Sequence, residues 1–114
     1  MNNRLKSKIV VQAIIKLADK NSIPISVIKK GDNERGMIIM RAIKSDQKSF
    51  FYRYNFNDNR SPWELAGKNN LVIKSEADKF IAKEIKIDTD IWVLEIEDFM
   101  EDNEIIKLFY FNLI

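Results

Sequence analysis

Short turns join three strand-like segments in the first half of the chain, and they restrict how these segments can pair. The segments cover residues 25–30, 37–44 and 50–56, and the turns between them are rich in Gly, Asp, Asn and Ser. Parallel neighbours need a crossover of about a dozen residues or more, so connections this short favour antiparallel pairing. The third segment alternates aromatic with other residues, which is typical of a strand with one buried face.

Two helical patterns flank these strands. In residues 4–21 the apolar side chains recur at helical spacing (Ile9, Val10, Ala13, Ile14 and Leu17). After Ser75, which begins a sequence typical of a capping box, a second apolar stripe is formed by Ala77, Phe80, Ile81 and Ile85. Both patterns predict amphipathic helices that cover a sheet.

Further strand-like segments complete the predicted fold. Residues 63–66 can form either a short strand or an irregular anchor. Residues 91–96 are typical of a buried strand, and residues 105–111 of its hairpin partner. The order α-β-β-β-(β)-α-β-β predicts an α+β fold in two layers, with two helices packed on a largely antiparallel sheet. We expect a core in which Trp92, Leu94 and Ile96 pack with Phe80, Ile81, Ile14 and Leu17.

Length and composition exclude several classes of chemistry. The 114 residues suit a single domain, residues 1–114. The absence of Cys and His excludes thiol nucleophiles, disulfides, Ser-His triads and His metal sites. No signal-peptide pattern is present, and no run approaches the roughly 20 apolar residues of a membrane helix. We therefore expect a cytoplasmic protein that does not associate with a membrane.

Acidic residues are concentrated near the end of the chain. Residues 88–104 contain eight of the seventeen acidic residues and no Lys or Arg, whereas residues 1–60 hold 13 Lys and Arg against 5 Asp and Glu. On a strand, Glu95 and Glu97 point to the same face. The block can bind Mg²⁺ through carboxylate oxygens, form ion pairs with the basic half or with a partner, or simply be solvated.

Three stretches of the chain match a family of short bacterial proteins: Arg4-Leu5-Lys6 with Val11-Gln12-Ala13, Lys30-Gly31-Asp32 with Gly36, and Asp88-Thr89-Asp90-Ile91-Trp92-Val93-Leu94-Glu95-Ile96-Glu97-Asp98. Over roughly residues 4–109 the chain resembles DUF1491, a mostly alphaproteobacterial family of unknown function. It departs from the family pattern at Val10, at Thr89 and in residues 99–104. The resemblance implies one compact domain and no particular activity.

Two surfaces are candidates for function. The first is a ligand or partner surface where the basic start of the chain meets the acidic block (Arg4, Lys6, Asp88, Asp90, Glu95, Glu97 and Asp98). That contact would be either a structural clamp or a pocket for a cationic ligand. The second is a possible nucleic-acid face (Arg41, Lys44, Tyr52, Arg53 and Tyr54), because aromatic strands beside basic residues stack bases in some RNA-binding modules. Core packing explains the same aromatic stripe.

The resulting functional hypothesis is a small interaction or accessory domain without catalytic activity, because no nucleophile–base pair is discernible. We assign no catalytic residue, metal site or cofactor. The alternatives are a carboxylate-based, Mg²⁺-dependent enzyme or nuclease-like domain, and a single-stranded nucleic-acid binder. We expect an unidentified protein partner and not a nucleic acid. Homodimerisation is a further expectation, because residues 105–111 would offer an apolar sheet edge.

Overall fold

The computed structural model describes residues 5–56, 63–66 and 71–97. Helix α1 covers Ser7–Lys20 and is followed by strands β1 (Ile25–Lys29), β2 (Ile38–Ile43), β3 (Ser49–Tyr54) and β4 (Trp63–Leu65). Helix α2 (Lys74–Ile87) and strand β5 (Trp92–Glu97) complete the described elements. The predicted strand at 105–111 lies outside the described residues. No helix within the described ranges is long and apolar enough to cross a membrane.

The described strands form one sheet in the order β1-β5-β2-β3-β4. Strand β5 is parallel to β2, and the other neighbouring strands are antiparallel. The expectation that β1 would pair with β2 is therefore wrong, because β5 lies between them. Burial explains this order: β5 is almost wholly buried and takes a central position, whereas β1 is largely exposed and lies at the edge.

The two helices pack on opposite faces of the sheet. We call the side that contacts α1 the α1 face; its core includes Met40, Tyr52 and Leu94. The opposite side, the α2 face, carries Ile39, Phe51 and Val93. The α+β class and the largely antiparallel sheet with two packed helices are confirmed, but the layers number three because each helix covers its own face.

The strand β5 side chains expected in the core are buried. Trp92, Leu94 and Ile96 are 4%, 0% and 0% exposed, and they share a cluster with Ile14 and Leu17 of α1. The prediction that they also contact Phe80 and Ile81 is wrong, because those two side chains belong to the α2-face cluster. Alternation along the strand separates the two sets of contacts.

The helix starts differ from a capping-box arrangement. The backbone N–H groups of Ser7 and Lys8 donate to the carbonyls of Glu34 and Asn33, and the buried Ser7 hydroxyl donates to the Gly36 carbonyl. The turn after β1 thus satisfies the free amides that begin α1. The predicted capping box at Ser75 is wrong, because α2 already begins at Lys74 and has no side-chain cap.

Two of the family-like stretches meet at one end of the sheet. The Asp32 amide donates to the Asp90 carbonyl (2.9 Å), and Trp92 Nε1 donates to the Asp32 carbonyl (2.7 Å). A Cβ atom at Gly31 would clash with the Asp90 carbonyl oxygen, so only glycine permits this approach. These motifs therefore have a structural role in joining the turn after β1 to the start of β5.

Candidate binding pocket on the α2 face

The acidic block is divided between a loop and a strand. In the loop before β5, the carboxylate of Asp88 accepts the backbone N–H of Asp90 (3.0 Å). In β5, Glu95 and Glu97 lie beside Arg41 and Ile43 of β2 and share the α2 face. Asp98 lies outside the described residues. Within the described ranges, no three acidic side chains approach closely enough to hold a metal ion.

Lys6 lies at the start of α1, away from the strand carboxylates of the block. Its Nζ lies 3.6 Å from Glu34 Oε1, and both side chains are about two-thirds exposed. The backbone bonds from Ser7 and Lys8 to the turn explain this contact, since they bring the helix start to residues 33 and 34. Among the described residues, no ion pair joins Lys6 to the acidic block, and Arg4 lies outside them.

The residues of the possible nucleic-acid face do not form one surface. Tyr52 and Tyr54 are buried on the α1 face, where the ring of Tyr54 packs edge-on against Phe56 and Trp63 at 4.8 and 5.1 Å. Burial raises the pKa of Tyr54 above its usual value. Arg41 is in register with Glu95, and Arg53 is in register with Ile39. Both arginines therefore point to the α2 face. Lys44 follows β2 and is partly buried.

Arg41 is the charged centre of the α2 face. Its Nε donates to Ser49 Oγ and its Nη1 donates to Asp78 Oδ1, both at 2.9 Å. Ser49 is fully buried, and the Arg41 side chain is only 10% exposed. Asp78 also accepts Lys74 Nζ at 2.8 Å. The hydrogen bonds from Lys74 and then Arg41 hold the pKa of the Asp78 carboxyl below its usual value.

The guanidinium group of Arg41 has more donors than these bonds use. A guanidinium carries five N–H donors, and the two bonds to Ser49 and Asp78 involve Nε and Nη1. Within the described part of the chain, Nη2 makes no hydrogen bond. Arg41 is therefore fixed in position yet keeps donors available at the pocket that it lines.

Glu95 lies next to Arg41 across the β2–β5 pair but is not bonded to it. The residue is half-buried. Among the described residues, it has neither an ion pair nor a hydrogen bond. A partly desolvated carboxylate without a partner is unfavourable, because the charge has lost water and gained little in return. Glu95 is thus available to a ligand that brings a positive charge or a donor.

A pocket of about 540 Å³ opens between α2 and strands β1, β5 and β2. Its charged residues are Arg41, Lys74, Asp78 and Glu95, two of each sign. The remaining lining is mainly aliphatic: Ile28, Ile43, Ile81, Ala82 and Ile85, with Gln47 at one side. A volume in this range suits a small ligand or a side chain with its flanking backbone.

Sequence reasoning included Arg41 and Glu95 among its candidates but placed them in different sites, and it missed Lys74 and Asp78. One signal was available, because Arg41 interrupts a strand that is otherwise apolar. A charge in a buried strand needs a partner. The partner lies 37 residues further along the chain, and no local pattern shows that pairing.

The described residues form a small α+β domain, in which a five-stranded sheet carries one helix on each face and a mixed-charge pocket lies under α2. The chain belongs to the DUF1491 family, described as proteins of unknown function, whose model matches residues 5–105. The resemblance seen in the sequence is thereby confirmed. No match is found among the curated proteins.

Solved structures show the same fold in related proteins. A crystal structure of a DUF1491 family protein from Caulobacter crescentus is 26% identical, with a TM-score of 0.69, and the match covers 82% of this chain and 86% of that one. A solution structure of a protein from Agrobacterium tumefaciens is 27% identical, with a TM-score of 0.67 and coverage of 85% and 88%. Both organisms are alphaproteobacteria.

Proposed function

We propose that this chain is a small cytoplasmic interaction domain without catalytic activity, and that the α2-face pocket binds its partner. One observation carries the proposal: between aliphatic walls, the pocket places the fixed guanidinium of Arg41 beside the carboxylate of Glu95, which has no partner among the described residues. Charged groups held in place by the fold give orientation and specificity to an apolar pocket. The partner is expected to be another protein.

The protonation behaviour of the pocket favours binding over catalysis. General acid–base catalysis works best with a group whose pKa lies near the working pH. The pKa of Asp78 moves the other way, because Lys74 and Arg41 both stabilise the carboxylate. Among the residues that the structure describes, no Ser, Thr or Tyr lines the pocket. These features support recognition by fixed charges in preference to a carboxylate-based, Mg²⁺-dependent reaction.

The placement of the aromatic strand supports a partner other than single-stranded nucleic acid. Base stacking needs exposed rings, and Tyr52 and Tyr54 pack under α1 instead. In addition, Arg41 forms an ion pair with Asp78, and Arg53 forms an ion pair with Glu84. Their charges are therefore partly neutralised before any phosphate arrives.

A random peptide library displayed on phage and selected on the immobilised domain tests this proposal. Enriched peptides should shift the methyl NMR signals of the pocket isoleucines (Ile28, Ile43, Ile81 and Ile85) while leaving those of Ile9 and Ile87 unchanged. Ile9 and Ile87 are exposed elsewhere, at 46% and 70%. Peptides that shift only the signals of Ile9 or Ile87, or a library without enrichment, would overturn the proposal.

A matched pair of variants on α2 strengthens this experiment. Ala82 is exposed and lines the pocket, so Ala82→Trp fills the pocket without removing a core contact. Lys83 is its exposed neighbour and does not line the pocket. We expect Ala82→Trp to abolish peptide binding and Lys83→Trp to leave it unchanged. Equal binding by both variants would show that the partner uses another surface.

A further inference from the structure

We infer that the α2-face pocket recognises a lysine or arginine side chain of a partner peptide, an inference that rests on the function proposed above. The aliphatic stem would lie against the pocket isoleucines, and the terminal cation would pair with Glu95. Two properties of the pocket point to this ligand. Its walls are aliphatic, and the one charged side chain in its lining without an ion pair among the described residues is the negative Glu95.

The charges of the pocket select a cation at Glu95. Arg41 and Lys74 both bond to Asp78, so that each cation of the pocket already has an ion-pair partner. Glu95 has no counter-ion among the described residues, although it lies beside Arg41 in register. A ligand cation would therefore give the half-buried Glu95 carboxylate an ion-pair partner. Charge-assisted hydrogen bonds of this kind are stronger than neutral ones.

The walls of the pocket select a long aliphatic stem. Ile28, Ile43, Ile81 and Ile85 line the space around the carboxylate. Lysine and arginine bury their methylene stems on apolar surface while their charged heads reach a polar group. A metal ion fits less well, since hard cations take several oxygen ligands and the described residues provide no cluster of three acidic groups.

The free donors of Arg41 favour a peptide over a simple amine. Its Nη2 group is unbonded within the described residues while the rest of the guanidinium is fixed by Ser49 and Asp78. A main-chain carbonyl next to the ligand's basic residue can accept from these donors. The pocket would then recognise two features of one peptide, namely a cationic side chain and the main-chain carbonyl next to it.

The exposed strand β1 is not proposed as the docking element, although it lies at the sheet edge. Its pairing with β5 is interrupted by a register shift between Val27 and Lys29. A bulge of this kind twists an edge away from regular pairing and is a common protection against strand addition. Ile28, which lies at this shift, instead contributes its side chain to the pocket.

Three acetylated and amidated pentapeptides, Ala-Leu-Xaa-Leu-Ala with lysine, norleucine or glutamate at Xaa, test the inference. Norleucine keeps the unbranched stem and removes the charge. We expect the lysine peptide to bind about tenfold more tightly than the norleucine peptide, in line with one charge-assisted hydrogen bond. The glutamate peptide should not bind. Affinity is measured by titration of the pocket isoleucine methyl signals.

Two matched variants assign the effect to one carboxylate. Glu95→Gln should remove the difference between the lysine and norleucine peptides, whereas Glu64→Gln should retain it. Glu64 is an exposed glutamate on β4, at the other edge of the sheet. A retained difference in Glu95→Gln would overturn the assignment, provided that its NMR spectrum shows a folded protein.

The possible outcomes separate this inference from the proposed function. If lysine and norleucine peptides bind equally and shift the pocket isoleucines, the domain binds peptides but does not select a cation. Tighter binding of the glutamate peptide would also overturn the inference and would point to Arg41 as the selecting charge. If none of the three peptides shifts the pocket signals at millimolar concentration, the inference fails, whereas the proposed function fails only if the phage library also yields no peptide that binds at the pocket.

Discussion

The two faces of the sheet are built from the same strands but differ in chemistry. The α1 face is apolar along its length, and α1 contributes fully buried Val10, Ile14 and Ala18 to it. The α2 face carries Arg41, Arg53 and Glu95 among its apolar residues, and Ala77 is the buried side chain that α2 contributes. The comparison indicates that the α1 face contributes more to the stability of the fold. The α2 face has less buried apolar surface and carries charged groups, which we propose bind a partner.

The largest expected effect is a cavity on the α1 face. Leu94 is fully buried, so Leu94→Ala should lower the free energy of unfolding by about 2–5 kcal/mol. Ile81 on α2 is only partly buried, and Ile81→Ala should cost less, about 1–2 kcal/mol. Urea unfolding of the two variants measures the difference. Equal losses would contradict the assignment of stability to the α1 face.

The next effect concerns the fixed guanidinium of the α2 face. Arg41→Met keeps most of the side-chain volume but leaves the buried Ser49 hydroxyl without its partner. We expect a loss of about 1–3 kcal/mol in urea unfolding. Arg53→Met is the control, because Arg53 is more exposed and its pair with Glu84 should contribute about 0–1 kcal/mol. A larger loss for Arg53→Met would show that Arg41 is not the organising charge.

The faces should also respond to opposite ends of the pH scale, beginning with the α1 face in alkali. Burial raises the pKa of Tyr54, so the unfolded chain ionises first, near the ordinary value of 10.0. The stabilising contribution is therefore complete below about pH 10 and is lost as the pH rises through the folded-state pKa. In the Tyr54→Phe variant, the unfolding midpoint should therefore decrease less steeply as the pH rises above that value. An unchanged slope would contradict the burial of the hydroxyl.

The α2 face should respond to acid. Because Lys74 and Arg41 lower the pKa of Asp78, its contribution is present above the ordinary value of 3.8 and is lost as the pH falls through the folded-state pKa. Asp78→Asn should reduce the acid dependence of the unfolding midpoint. Asp19→Asn on α1 is the control, since Asp19 is exposed and has no ion-pair partner among the described residues. If both variants have the same effect, Asp78 is not specifically stabilised.

Periodicity in the sequence predicted most elements because helices α1 and α2 and strands β2, β3 and β5 each show their own local pattern. It did not predict that β5 inserts between β1 and β2, because that parallel pairing depends on contacts far apart in sequence. It also did not separate the two faces, since the stripes of α1 and α2 are both simply apolar. The pocket was missed for the same reason, because Arg41 and Asp78 lie 37 residues apart in sequence and meet only in the folded structure.

The most direct test of the account is a paired measurement on Glu95→Gln. Because Glu95 has no partner among the described residues, the variant should unfold within about 0.5 kcal/mol of the unmodified chain. The same variant should bind the lysine peptide about tenfold more weakly. That combination places Glu95 in recognition and not in stability. A clear loss of stability with unchanged peptide affinity would contradict the account, because Glu95 would then be a structural residue of the α2 face.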